Sequence, residues 1–386
     1  METKTPIEGD NAAVEQYDGL VLMSGGLDSI LTYLLLRKQG LKLLGVHYYS
    51  PFFGAPQKAE MWKNLLGIEA ICVDTSDKMI KRLYKPHRGF GKTLNPCVDC
   101  KINMITQTKA IMDKYGAKFV ATGEVLGQRP MSQHMAALNN IKADTGMEGK
   151  LLRPLSAKLL EETDAERSGL VDREQLLSLQ GRGRKGQMAL VEQFKVPEEV
   201  IESPAGGCRL TDETNATRYA QLLTVKGDAD ATDFRLCNFA RHYWKGEHWV
   251  VIGRNEHDND QLLLSAAPTD YTMRLETLMG PIALLRPIHS ADEAPEIIAE
   301  AAQHMASFSK HARDATGPVR VSVTHGEKTE VIEVTVERRD DWLVPIWATA
   351  KAWKVAKAEE GKQERWAEKR EARWAKKRAK WAEQEQ

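Results

Sequence analysis

The stretch Gly19-Leu20-Val21-Leu22-Met23-Ser24-Gly25-Gly26-Leu27-Asp28-Ser29 decides how the rest of the chain is read. An apolar run enters a Ser-Gly-Gly turn. The periodicity of Ile30 to Leu36 then predicts a helix over about Ser29 to Gln39, stopped at Gly40. Strand, tight turn and helix in that order aim backbone N–H groups and the positive end of the helix dipole at one point, where an anion is favoured. Gly25 and Gly26 permit positive φ and carry no Cβ to hold a phosphate away. Ser24 and Ser29 add hydroxyl donors, and Asp28 is a hard oxygen ligand suited to Mg²⁺. The stretch has neither the Gly-Lys-Ser/Thr end of a Walker loop nor the three-glycine dinucleotide fingerprint.

Working outward, Leu43 to Tyr49 and Glu69 to Val73 read as strands, with a helix from Pro56 to Leu66 between them. Cys97 to Tyr115 reads as helix and Ala117 to Thr122 as strand. This alternation predicts an α/β domain over 19–210, a parallel sheet flanked by helices, after a disordered segment 1–18. Ligands of such sheets sit beyond the carboxyl ends of the strands, which puts Ser24, His47, Asp74 and Thr122 on one rim. His87 to Pro96 reads as a mobile loop on that rim. Helical pieces at 173–179 and 186–194 follow, and the domain closes at Ser203-Pro204-Ala205-Gly206-Gly207-Cys208. A smaller α+β region is expected beyond it. One part is 211–290, with a helix near 215–223 and strands at 248–253 and 271–278. The other is 291–347, with a helix at 292–312 and a strand pair at 318–324 and 330–336. A long charged helix occupies 348–386.

At 386 residues the chain has room for two or three cores. Lys+Arg and Asp+Glu both total 54, so overall charge gives no hint of a nucleic-acid partner. Lys351 to Gln386, however, holds twelve Lys/Arg against seven Glu. No apolar run reaches the length of a membrane span, and the N-terminus lacks a signal peptide's basic start and apolar stretch. Five cysteines are too few and too scattered for a disulfide scaffold, which favours a reducing cytoplasm.

Cys97 and Cys100 are three apart at a helix start, so their sulfurs share a face. The helix N-terminus with Lys92 and Lys101 is expected to lower their pKa values. Cys208 follows more than a hundred residues later. Three thiols from two segments leave three meanings open: a [4Fe–4S] cluster with one open iron, a persulfide carrier with a resolving partner, or an incomplete zinc site. Cys72 and Cys237 read as core and bland positions.

Ser24-Gly25-Gly26-Leu27-Asp28-Ser29 resembles the pyrophosphate loop of the PP-loop ATP pyrophosphatases. Asn95-Pro96-Cys97-Val98-Asp99-Cys100 and the Gly-Gly-Cys at 206–208 are similar to segments of the tRNA thiouridylases within that family. The resemblance covers about 19–210. It implies an ATP site at Ser24, Gly25, Gly26, Asp28 and Ser29, lined by Thr122 and Gly123, with Mg²⁺ on Asp28. It implies catalytic roles for Asp28, Cys100 and Cys208. Through the iron–sulfur-dependent members it makes Cys97, Cys100 and Cys208 cluster ligands. Family members have Ala-Thr-Gly-His where this chain has Ala121-Thr122-Gly123-Glu124, so a role resting on that imidazole does not transfer.

The implied reaction is adenylation of a uridine carbonyl in tRNA and replacement of its oxygen by sulfur. Sulfur would come from a donor such as a cysteine desulfurase or free sulfide. The rival expectations are thiolation or amidation of a small metabolite, and a non-catalytic RNA-binding protein with a vestigial nucleotide fold. Residues 230–290 also resemble the RNA-binding module of ribosome quality-control proteins. That resemblance makes Arg235, Arg241, His242 and Arg254 cationic RNA contacts. Arg182, Arg184 and Lys185, in a Gly-Arg-Gly-Arg-Lys-Gly loop, are expected on phosphate, and Arg129, Arg153 and Lys158 are further candidates. Trp366, Trp374 and Trp381, eight and seven apart, lie near one helical face among basic residues.

Overall fold

The computed structural model describes residues 15–201, 207–289 and 293–384. The turn at 203–206, read as closing the first domain, lies outside them. The chain forms two compact units, one of Met1–Thr211 with Lys357–Gln386, the other Asp212–Ala356.

In the first unit the strands are β1 (Gly19–Leu22), β2 (Leu43–Tyr49), β3 (Ala70–Asp74), β4 (Phe119–Thr122) and β5 (Leu151–Leu152). The helices are α1 (Leu27–Arg37), α2 (Lys58–Leu66), α3 (Ser76–Tyr84), α4 (Cys97–Lys114), α5 (Met135–Thr145), α6 (Asp164–Arg167) and α7 (Lys185–Phe194). The sheet order is β3-β2-β1-β4-β5, every pair parallel. Both faces are covered. Val21 and Met23 point into one core with Leu27, Ile30, Leu31 and Trp62. Leu20 and Leu22 point into the other with Val46, Tyr48, Ile105 and Met112. That two-residue alternation, apolar on both sides, is why the strands read as unbroken hydrophobic runs. The expected helix at 173–179 is only a 3₁₀ turn, Arg173–Gln175.

The second unit contains α8 (Glu213–Val225), α9 (Ala231–Leu236), β6 (Arg241–Lys245), β7 (His248–Ile252), α10 (Glu256–Ser265), β8 (Tyr271–Leu275), β9 (Ala283–Arg286), α11 (Pro295–Ala306), α12 (Lys310–Arg313), β10 (Val319–His325) and β11 (Lys328–Val334). Its antiparallel sheet runs β11-β10-β8-β9-β7-β6. The stretches read separately as 211–290 and 291–347 thus contribute to one sheet and one core, Val250, Met273, Leu285, Met305 and Val321 among its members. The helix expected over 292–312 breaks into α11 and α12 where Ser309 caps the second piece, its side chain accepting from Ala312 N–H. A final helix, α13 (Trp347–Gln384), follows.

Candidate active site

In a sheet ordered 3-2-1-4-5 the connections diverge between β1 and β4, and the crevice beyond their carboxyl ends is the natural ligand position. The Ser-Gly-Gly turn leaves β1 at that point, and Gly123 leaves β4 opposite. Gly25 holds φ at +90°, and a Cβ on Gly26 would meet only Ser24 Oγ, at 3.6 Å. The cradle is open, as a phosphate requires. Ser24 Oγ accepts from Gly26 N–H at 3.3 Å and lies 3.4 Å from Ser29 Oγ. Ser29 Oγ donates to Gly26 O at 2.7 Å. Gly123 has a second reason to be glycine: a Cβ there would stand 2.6 Å from the Asp28 carbonyl carbon. The end of β4 therefore packs directly on the first turn of α1. Asp28 accepts from Gln128 Nε2 at 3.1 Å through Oδ2, while its buried Oδ1 has no hydrogen-bond partner. An orphaned carboxylate oxygen at the mouth of a phosphate cradle fits a hard divalent cation.

Two residues near the loop had no signal in the sequence. Lys58, from α2, places its Nζ where a Gly25 Cβ would come within 3.2 Å. Gln128, a hundred residues from Asp28, holds its carboxylate. His47 is structural: Ala55 N–H donates to Nε2 at 3.0 Å, so the Nδ1–H donates to Met23 O at 2.7 Å. Thr122 Oγ1 donates to Glu124 at 3.0 Å. Glu124 is buried, bonded to Arg153 Nε at 2.9 Å and 3.7 Å from Lys101 Nζ. Burial pushes its carboxyl up, but Lys101 and Arg153 outweigh it and hold the pKa below the ordinary value. Arg153, expected on phosphate, is therefore committed to Glu124 and to Leu138 O. Lys158 is likewise engaged, with Glu174.

The three cysteines come together because two remote segments dock. Leu94 N–H donates to Leu210 O at 3.2 Å, and Thr93 Oγ1 donates to the same oxygen. The turn after Cys208 is tied by Thr211 to Cys208 O. Asn95 Nδ2 donates to Cys97 Sγ at 3.1 Å. Burial pushes the Cys100 thiol far up, and neighbouring Cys208 and Cys97 add to the rise against Lys101. Burial likewise pushes Cys208 up, to about 11, with Cys97 adding and Arg129 opposing. The expected lowering by the helix end and lysines is thus overturned at Cys100: a buried thiol loses more by desolvation than one nearby ammonium returns. Among the described residues no group of three or more His, Cys, Asp and Glu is arranged to hold a metal ion.

The expected RNA contacts fall into two places. In the first unit Arg182 and Lys185 are exposed, and Arg184 is half-buried with an unpartnered Nε. In the second unit Arg241 and Arg254 line a cavity of about 350 Å³ with Arg218, His242 and Trp347. Arg235 is exposed on α9 outside that lining. Arg254 is held by Asp258, and Arg241 donates to Gly253 O at 3.0 Å. Arg218 donates to Cys237 O and Ala240 O. His242 offers no cation: burial, aided by Arg218, holds its pKa well below the ordinary value, and Trp249 Nε1–H donates to its Nδ1. Cys237 is fully buried.

Residues 14–162 match the family model described as thiamine biosynthesis protein ThiI. The chain is similar to a probable tRNA sulfurtransferase of Thermococcus kodakarensis, 28% identical over 28% of this chain and 30% of that protein. It is also similar to the tRNA-specific 2-thiouridylase MnmA 3 of Bacteroides fragilis, 36% identical over 27% of this chain and 30% of that protein. The chain therefore spans about a third of the length of these curated relatives. A solved structure of a predicted tRNA methyltransferase subunit from Methanocaldococcus jannaschii aligns at 14% identity over 48% of this chain and 92% of that one, with a TM-score of 0.28. The stretch that matches the ThiI model carries the open cradle at the switch point of a parallel sheet, the arrangement of a PP-loop fold.

Proposed function

We propose that this protein is an ATP-dependent sulfurtransferase that replaces a uridine carbonyl oxygen of tRNA with sulfur. One observation carries the reading: the first unit holds both an open phosphate cradle at the sheet's switch point and thiols close enough to shift one another's pKa. The amides of Gly25 to Asp28, with Ser24 and Ser29, receive the triphosphate. Asp28 Oδ1 would hold Mg²⁺, which when bound offsets charge on the departing pyrophosphate. Thr122 and Gly123 form the opposite wall.

The uridine oxygen attacks the α-phosphorus, pyrophosphate leaves, and the oxygen becomes part of an AMP leaving group. A donor such as a cysteine desulfurase loads Cys208 as a persulfide. Its terminal sulfur attacks the activated carbon, AMP departs, and the base is joined to Cys208 through a disulfide. Cys100 attacks Cys208 Sγ and gives up its thiol proton to the departing sulfur, which releases the thiouridine and leaves a Cys100–Cys208 disulfide. Two external thiols, or one dithiol, return two electrons and leave as a disulfide. Cys208 is given the carrier role because it sits on a loop, whereas Cys100 is fixed in the first turn of α4. Arg182, Arg184 and Lys185, with Arg235, Arg241 and Arg254, are assigned to the RNA backbone. Among the described residues no helix is long and apolar enough to cross a membrane, and free thiols throughout suit a reducing cytoplasm.

The test combines the full chain with ATP, Mg²⁺, a persulfide donor and unmodified tRNA, and measures pyrophosphate and thiolated nucleosides. Both should form. Asp28→Asn should lower pyrophosphate release at least about a hundredfold. No tRNA-dependent pyrophosphate release would overturn the reading. Iron and acid-labile sulfide assays on anaerobically purified protein decide the sulfur route. About four irons per chain, lost in Cys97→Ala, would replace the persulfide with a cluster.

A further inference from the structure

The part of α13 that belongs to the first unit has two opposed faces. One is turned to the protein. Gly361 is buried so tightly that a Cβ would fall 1.9 Å from Pro86 O. Glu364 pairs with Lys85 at 3.3 Å, and Glu368 Oε1 lies 4.0 Å from His87 Nε2. Residues 361, 364 and 368 fall within about 60° of one another on a helical wheel. About 180° round lie Trp366, Arg370, Arg373 and Lys377, flanked by Lys369 and Trp374. All six are exposed, Trp366 by 78% and Trp374 by 49%. Among the described residues no ion pair engages Lys369, Arg370, Arg373 or Lys377, and Lys377 stands over the Trp374 ring at 5.2 Å. The helix thus turns acidic side chains to its own protein and presents cations alternating with solvent-exposed indoles.

A merely solvated helix has no use for exposed tryptophan, and an apolar partner would not select four uncompensated cations beside it. Guanidinium and ammonium groups pair with phosphates, and indole faces stack on unpaired bases without demanding a sequence. From Trp366 to Lys377 the stripe runs about 16 Å, long enough for several successive phosphates. We infer that this stripe is a capture surface for the tRNA substrate, an inference that rests on the tRNA reading above.

The test measures binding of fluorescently labelled tRNA to the full chain across a salt series, for wild type, Arg370→Glu/Arg373→Glu/Lys377→Glu, and Trp366→Ala/Trp374→Ala. Circular dichroism checks that helix content is kept. The charge-reversed variant should bind at least tenfold more weakly, with a slope of log K against log salt smaller by about two to three. The tryptophan variant should lose roughly tenfold. The charge-conserving Arg370→Lys/Arg373→Lys/Lys377→Arg should keep most of the affinity. In turnover assays the loss should fall on KM for tRNA. Equal affinity and an equal salt slope in all variants would overturn the inference. So would a wild-type dimer, seen by sedimentation, that the tryptophan variant abolishes while tRNA binding is unchanged. A wild-type chain that binds tRNA but forms no thiouridine with ATP fails the parent reading instead, and leaves the comparison among variants standing.

Discussion

Cys208 shows how one side chain's surroundings set its chemistry. Burial holds its thiol up to about 11, so at neutral pH it is almost wholly protonated. Its thiolate fraction grows tenfold per pH unit until that value is approached, whereas an ordinary thiol levels off near 8.5. Alkylation of Cys208 by iodoacetamide, followed by peptide mass spectrometry, should therefore accelerate about tenfold per unit from pH 7 to pH 10 without a plateau. A plateau near pH 8.5 would mean that the site is open to water. The sequence shows a helix start and two lysines near Cys97 and Cys100, all of which lower a thiol pKa. It does not show that Thr93 and Leu94 dock on Leu210 and draw the cysteines out of full solvent exposure. The glycines are the opposite case. Gly25 is legible because its positive φ is a local property of glycine, whereas Gly26, expected to share it, caps α1 with φ at −77° and serves the cradle only by lacking a Cβ. Lys58 and Gln128 reach the same loop through the fold alone, and no spacing announces them.

Among elements, those whose period dominates their sequence are the ones that can be read. Strand β2 occupies 43–49 as expected, since five of its seven residues are apolar or aromatic and six are buried, a run that fits a strand covered on both faces. Helix α3 carries a weak periodic signal: Asp77, Lys78, Lys81 and Arg82 leave only Met79, Ile80 and Leu83 to mark its inner face. Strand β9 is equally faint in the sequence, at four residues between Pro281 and Pro287. Its last residue nevertheless ties three segments. Arg286 donates to Asp270 at 2.8 and 2.7 Å and to Asp233 of α9 at 3.0 Å. All three side chains are buried. Removing the cation leaves the buried Asp270 carboxylate without its ion-pair partner and Asp233 with Lys226 alone, so Arg286→Ala should destabilise the second unit by about 3 kcal/mol. Hydrogen exchange of the full chain should show the loss as faster exchange in peptides spanning β7, β8 and β9. Unchanged protection there would show that the packing of Trp249 and Leu285 carries the sheet without the ionic tie.

At the scale of the molecule, the second unit is one uninterrupted segment with its own sheet and core. Residues 212–356 produced alone should fold and melt in a single cooperative transition followed by circular dichroism. A broad, non-cooperative melt would mean that the segment depends on the rest of the chain. The first unit is different, because its residues are not contiguous. Lys357 onward packs at Pro86 and Lys85, and the 145 residues of 212–356 intervene. On the ribosome the segment around Pro86 is therefore made long before the helix that covers it. At roughly 5–20 residues per second, the stretch from Pro86 to Gly361 keeps it waiting on the order of 15–55 s. The loop that feeds the cysteine helix is in this sense a late-sealed seam. A nascent chain could fold its parallel sheet, then the whole of its second unit, and only afterwards gain the strap that closes the first.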